Sequence, residues 1–279
     1  MIKGKRILVT GGAGSIGSEL VRQLAVNNKV FILDFNETDT FDLYEELHHE
    51  GHWVHYRVGD VRNLDTVKDV FSDFKPQYVF HAAAYKHVTP MEIYPEEAVQ
   101  TNIIGTLNVL KTARNLECVE KFVYISTDKV IHANSVMGAT KKVGEIMVKN
   151  SGKGFVAVRF GNVLGSRGSV IPFWQNQINR GKDITVTDER MERYFMSIDE
   201  ACSLVIKAGE KGNGGETIVL DMGKRVNVLE LAKEVINKSG RDVGIKMIGI
   251  RPGETIDEKL MTKEEEESAV KDGNFWILR

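Results

Sequence analysis

The chain has 279 residues, 42% of them hydrophobic and 27% charged, with a formal net charge of −2. That length supports a substantial core and about two domains, and the near-neutral balance gives no footing for nucleic acid or an anionic membrane surface. Cys118 and Cys202 lie far apart without metal-ligand spacing, no cluster suits a metal, and charged residues interrupt every apolar run before membrane-spanning length. A cytoplasmic protein with reduced thiols and no membrane contact is expected; the first apolar run starts at Arg6, so no signal peptide is expected either.

Short apolar runs predict strands at residues 6–9, 30–33, 53–58, 78–81, 122–125 and 155–159. Between them, apolar spacing predicts helices over 16–26, 40–49, 65–74 and 98–114. Strands alternating with helices imply crossover units, hence an α/β fold with a doubly wound parallel sheet covered on both faces. The alternation weakens after Gly161. Residues 165–169 read as a loop, 198–208 and 228–236 as helices, 251–254 as a turn, and 264–267 as a solvated helix face. These divisions predict a nucleotide-binding domain over 1–165, with return segments near 195–222, and a smaller substrate lobe over 166–279.

Thr10-Gly11-Gly12-Ala13-Gly14-Ser15-Ile16-Gly17 joins the first strand to the first helix. Glycines at 11, 14 and 17 allow a tight turn, close approach of backbone to a pyrophosphate, and close packing of helix on sheet. The helix N-terminus then presents free N–H groups to the anion. A dinucleotide, NADP or NAD, is the expected cofactor. Asp34 closes the second strand, where it suits a hydrogen bond to the adenosine ribose of NAD and equally suits capping the next turn. Asn36 and Thr38 follow closely and are placed to donate to a 2′-phosphate, so the choice between NAD and NADP stays open. Gly59-Asp60-Val61, after the third strand, fits the edge of an adenine site.

Further segments complete a co-linear set that runs through nearly the whole chain. They are His81-Ala82-Ala83-Ala84-Tyr85-Lys86-His87-Val88, Thr101-Asn102, Ser126-Thr127-Asp128-Lys129 and Met137-Gly138-Ala139-Thr140-Lys141, then Arg159-Phe160-Gly161-Asn162-Val163, Arg193-Tyr194-Phe195-Met196 and Arg251-Pro252-Gly253-Glu254. The set resembles the extended short-chain dehydrogenase/reductases, and within them the nucleotide-sugar 4,6-dehydratases of the polysaccharide-biosynthesis (CapD-like) group. The resemblance implies a Rossmann-type domain and a tightly bound NAD(P) that is recycled in each turnover. It also implies UDP-N-acetylglucosamine as substrate and a 4-keto-6-deoxy sugar nucleotide as product.

By the same resemblance, cofactor contacts fall to Gly11, Gly14, Ser15, Ile16, Gly17, Asp34, Asn36, Asp60, Val61, Ala82, Ala83, Asn102 and Lys141. Substrate contacts fall to Lys86, Asn162, Arg193, Arg251 and Glu254. Met137 stands where the family's catalytic tyrosine is usual, and members with Met there resemble the dehydratases that keep the C5 configuration. Homo-oligomers are implied, as dimers through a four-helix contact or as hexamers. Many relatives carry N-terminal membrane helices, whereas this chain looks like a soluble short form. His132-Ala133 replaces a common Asn-Pro pair, and Thr89-Pro90 sets the proline one place later than usual.

A thioether exchanges no proton, so the proton work must lie elsewhere. Oxidation at C4 acidifies the C5 proton; water can then leave C6, and the hydride returns there. Resemblance and chemistry together make Lys129 the C5 base and Asp128 the C6 acid, with Thr127 on the C4 oxygen and Lys141 holding the nicotinamide ribose. Those roles call for a lysine lowered and an aspartate raised from their ordinary ranges, which burial favours and a mutual ion pair opposes. Thr127, Asp128 and an ordered water are alternative acceptors of the C4 hydroxyl proton, with a relay through Thr127 to Asp128 preferred. His81 reads as structural and His87 has no assigned role. Two rival functions stand beside this one: a C5-inverting dehydratase or UDP-sugar epimerase on the same scaffold, and a non-catalytic NAD(P)-binding regulator.

Overall fold

In the computed structural model, which describes residues 2–279, six apolar runs form parallel strands. They are β1 (Arg6–Thr10), β2 (Lys29–Asp34), β3 (Val54–Val58), β4 (Tyr78–His81), β5 (Lys121–Ile125) and β6 (Phe155–Arg159). Their order across the sheet is 3-2-1-4-5-6, so the winding reverses between β1 and β4 and opens a crevice at the strand C-termini. Thr217–Leu220 adds a seventh parallel strand beside β6. Phe275–Leu278 then pairs antiparallel with it, and Val270–Asp272 forms the edge. Residues 270–278, placed in the substrate lobe by the sequence reading, thus belong to the large sheet. Phe275 and Leu278 are buried there, but a hairpin this short carries no sequence signal of which strand it will join.

Helix α1 (Ser15–Ala25) buries Leu20, Val21 and Leu24 beneath the sheet and packs on the helix Ile198–Lys211. Each such side chain contributes about 2 kcal/mol of burial, which fixes the glycine loop at the head of α1. The opposite face is covered by Leu64–Phe74 and Thr106–Arg114, which pack on Leu8, Val79 and Phe122. The single helix expected over 98–114 is broken. Pro95–Ala98 leads into a wide π turn, Val99–Gly105, and only then into Thr106–Arg114. A π turn adds a residue to the repeat and carries Asn102 inward to the Tyr85 backbone. Gly105 lets that turn pass Val61, whose Cγ2 would lie 2.7 Å from a Cβ.

The smaller lobe has its own core, in which Trp174 and Ile178 of the helix Val170–Asn179 meet Ile184, Val186 and Ala232. No element was expected over that helix. Short ladders knit the lobe to the sheet, beginning with Asn162–Val163 against Phe195–Met196 directly after β6. Among the described residues no helix is long and apolar enough to cross a membrane.

Candidate active site

β1 gives way to a turn at Gly11, whose φ of +66° brings the chain so close that a Cβ would stand 2.5 Å from the Ala83 nitrogen. A Cβ on Gly17 would collide with the Gly11 carbonyl. Gly14 caps α1 without a side chain, so the first-turn amides keep no side-chain acceptor. Buried Asp34 accepts from the Ala13 N–H at 2.9 Å and the Asn36 N–H at 2.9 Å. It caps the turn and braces the loop together, and each oxygen retains a lone pair for a ribose.

Asp34, Asn36, Asp60, Val61 and Ala83 line a cavity of about 210 Å³. Ser15, Ile16, Gly17 and Lys141 open onto a neighbouring one of about 740 Å³. Gly11, Gly14 and Ala82 border both, so the two form one groove along the crevice. Asn102 is not part of it, contrary to expectation. Its buried amide is taken up by the Tyr85 N–H (2.8 Å), the Tyr85 carbonyl (3.1 Å) and Thr140 Oγ1 (3.1 Å), so it fixes the Tyr85 backbone beside the groove.

β5 runs through Ser126 and Thr127 into one 3₁₀ turn, Asp128–Val130. Thr127 and Lys129 line the large cavity, while Asp128 lies behind them, 2% exposed. Asp128 Oδ1 accepts from the Thr127 hydroxyl at 2.9 Å and from the Lys129 ammonium at 3.0 Å. Oδ2 has no partner among the described residues and faces Gly161. The ammonium also meets Glu258 Oε1 at 3.0 Å and Asn162 Oδ1 at 3.4 Å. Glu258 Oε2 in turn holds Arg193 Nε at 3.1 Å and Asn162 Nδ2 at 3.2 Å.

Three N–H donors facing three acceptors mark Lys129 as a charged ammonium. Burial lowers its pKa, but Asp128 and Glu258 together outweigh burial and hold it above the ordinary lysine range. The expected lowered lysine is therefore corrected: the ion pairs win. Burial pushes Asp128 up to about 6, with Lys129 opposing and Glu258 reinforcing the rise. Burial also opposes ionisation of Glu258, yet Lys129 and Arg193 keep it below its usual range.

The helix Val136–Lys149 starts at Ser135, whose hydroxyl accepts from the Gly138 N–H at 3.0 Å. A Cβ on Gly138 would strike the Lys129 carbonyl, so glycine lets this helix lie directly on the Asp128–Val130 turn. Met137 and Lys141, one turn apart, both line the large cavity and are both buried. Met137 packs on Met91 and Ala98. Lys141 Nζ donates to the Ile125 carbonyl at 2.5 Å and sits 4.1 Å from the Tyr124 ring centroid. Burial lowers Lys141 to about 7, and Glu145 restores only part of the drop.

Lys86, Asn162, Arg193, Arg251 and Glu254 all line the large cavity. Arg251 is exposed, and its guanidinium has no partner among the described residues, which leaves it available to an anion. Arg193 is not available. Besides Glu258 it donates to the carbonyls of Glu192 and Ile256, both at 2.8 Å, and of Thr255, so it clamps the 255–258 segment where a phosphate contact was expected. Lys86 donates to the Arg167 carbonyl at 2.7 Å and ties the 165–169 loop across the cavity. His81 sits between Thr10 Oγ1 (2.6 Å) and Thr106 Oγ1 (2.9 Å); burial pushes it down to about 3, a neutral structural group.

With the groove and the Thr-Asp-Lys turn described, the comparisons with known proteins give the family. The profile of the polysaccharide biosynthesis protein family matches residues 7–279. This chain belongs to that family. It is 48% identical over 274 residues to the capsular polysaccharide biosynthesis protein CapD of Staphylococcus aureus, covering 94% of this chain and 46% of that one. The chain thus spans about half the length of that relative. It is 35% identical over 292 residues to the UDP-glucose 4-epimerase of Rickettsia bellii, covering 100% of this chain and 84% of that one. Among solved structures, Pen from Bacillus thuringiensis superposes with a TM-score of 0.92 at 38% identity, covering 99% and 88% of the two chains.

Two residues, Glu258 and Glu265, were not expected from the sequence. Glu258 lies four residues past the Arg251–Glu254 turn, in a stretch without periodicity, and only its spatial neighbours reveal it. Glu265, counted in a solvated acidic run, reaches Arg159 Nη1 at 2.7 Å and Nη2 at 3.0 Å. A signal for it did exist. Arg159 ends a strand whose other residues are all apolar, and a buried guanidinium demands carboxylates from elsewhere in the chain.

Proposed function

We propose that this chain is the catalytic unit of a UDP-N-acetylglucosamine 4,6-dehydratase that keeps the C5 configuration. The observation that carries the reading is the Thr127-Asp128-Lys129 turn: a hydroxyl and an ammonium facing the cavity, both bonded to one buried carboxylate. The glycine loop, Asp34 and Lys141 suit NAD(P), which when bound takes a hydride from C4 and returns one to C6. Thr127 accepts the C4 hydroxyl proton and passes its own to Asp128 across the 2.9 Å contact. Lys129, starting as the ammonium, takes the C5 proton as it hands one of its own to the departing C6 hydroxyl, and the ammonium so restored, open to exchange with solvent, later protonates C5. Asp128 then returns its stored proton to Lys129. Each group ends as it began, and the net loss is one water.

This scheme keeps Lys129 as C5 base but moves the C6 acid from Asp128 to the ammonium, because Lys129 opens onto the large cavity whereas Asp128 borders only a smaller adjoining one of about 200 Å³. Arg251 holds the diphosphate. A UDP-sugar C4-epimerase is the second reading, favoured by the likeness to the Rickettsia bellii enzyme. Such an enzyme has proton chemistry only at C4 and gives no use to a second, cavity-facing ammonium. Incubation with UDP-N-acetylglucosamine without added reductant should yield a product lighter by one water in mass spectrometry. An unchanged mass overturns the proposal.

A further inference from the structure

The small lobe reaches back over the dinucleotide groove through a single arginine. Arg167, in the loop before the helix Val170–Asn179, donates its backbone N–H to Ser15 Oγ at 3.0 Å. Its guanidinium bonds the Ala13 carbonyl and the Asp39 carboxylate, and it borders both cavities of the groove. Asp39 lies in the first turn of the helix Glu37–His49 and is oriented by that helix's own cap. Asn36 Oδ1 accepts from the Asp39 N–H at 3.1 Å, and Asn36 Nδ2 donates to Asp39 Oδ2 at 2.7 Å. Asp34, Asn36 and Asp39 line the same adenosine-sized cavity.

The Asp39–Arg167 pair is largely solvent-exposed, at 35% and 55% of the two side chains, and so adds little to stability. Its placement matters more. Asp60 is neutralised by Arg62 at 2.6 Å, which leaves two carboxylates, Asp34 and Asp39, against one guanidinium at this end of the groove. A ribose with free hydroxyls suits that surplus of acceptors. A 2′-phosphate would meet net negative charge, and the guanidinium whose planar donors would suit it is already occupied.

We propose that Asp39, by occupying Arg167, is the specificity-determining residue that restricts the groove to NAD over NADP. The proposal rests on the dinucleotide reading above. Calorimetric titration of the full chain, freed of nucleotide, with NAD and with NADP tests it. Wild type should favour NAD; Asp39→Asn should raise the NADP-to-NAD affinity ratio about tenfold, the worth of one charge-assisted contact. Adding Arg167→Ala should remove that gain. A wild-type preference for NADP, an unchanged ratio in Asp39→Asn, or a gain that survives loss of Arg167 overturns the proposal while leaving the dinucleotide reading intact. Failure of wild type to bind either nucleotide overturns both.

Discussion

At Asp128, burial and Glu258 raise the carboxyl while Lys129 lowers it, and the balance stands at about 6. The acceptor must be ionised before turnover begins. Activity should therefore fall as pH drops through about 6, well above the ordinary aspartate value of about 3.9. In Glu258→Gln a charge that raises Asp128 is gone, so the acid limb of the kcat profile should move to lower pH; a limb that stays in place would show that Glu258 does not act on Asp128. Met137 poses a separate question, since tyrosine would restore the usual proton donor. Met137 is 2% exposed and packs against Met91 and Ala98, so a bulkier phenol must repack that cluster or enter the large cavity that Met137 borders. Met137→Tyr should lose about 1–3 kcal/mol in urea unfolding and gain no turnover. The Met137–Lys141 spacing and the Thr127-Asp128-Lys129 run were legible in sequence because each is local. The charge state of Lys129 was not, because Glu258 arrives from far along the chain.

Elements were legible to the degree that their signals are short-range. β1 to β6 and the glycine loop follow from apolar runs and three glycines, and each crossover has its own helix. The π turn at Val99–Gly105 keeps helical spacing while breaking the helix, so periodicity alone reads through it. The loop before the helix Val136–Lys149 shows what a departure from family pattern does. Ala133, standing where proline is common, adopts φ +46°, which a proline ring cannot reach. A left-handed alanine costs about 1–2 kcal/mol. Ala133→Gly should therefore raise unfolding free energy by about 1 kcal/mol in chemical denaturation, with the Asp128–Val130 turn unchanged. A loss of stability would mean that the loop holds another conformation in solution.

Over the whole molecule, one buried cluster ties the helix Val136–Lys149 to the C-terminal segment. Arg159 Nη2 meets Glu145 Oε1 at 2.5 Å, Nη1 meets Glu265 Oε2 at 2.7 Å, and Ser126 donates to Glu145 at 2.7 Å. Glu145→Ala would leave a buried guanidinium half-compensated, at a cost of about 3–5 kcal/mol in guanidinium unfolding. A loss under 1 kcal/mol would mean that water or Glu265 compensates Arg159 unaided. Such assembly is what sequence reading loses: the hairpin 270–278 and the Arg193 clamp depend on partners tens of residues away. The same assembly puts a proton-silent methionine, a charged lysine and a buried aspartate at one crevice. The measurement that bears on it most directly is NMR of UDP-N-acetylglucosamine turned over in deuterated water with no added reductant. A C6 methyl group, a C4 ketone, and deuterium at C5 with configuration retained are the predicted result. An intact C6 hydroxyl with inversion at C4, or no conversion, would contradict the assignment.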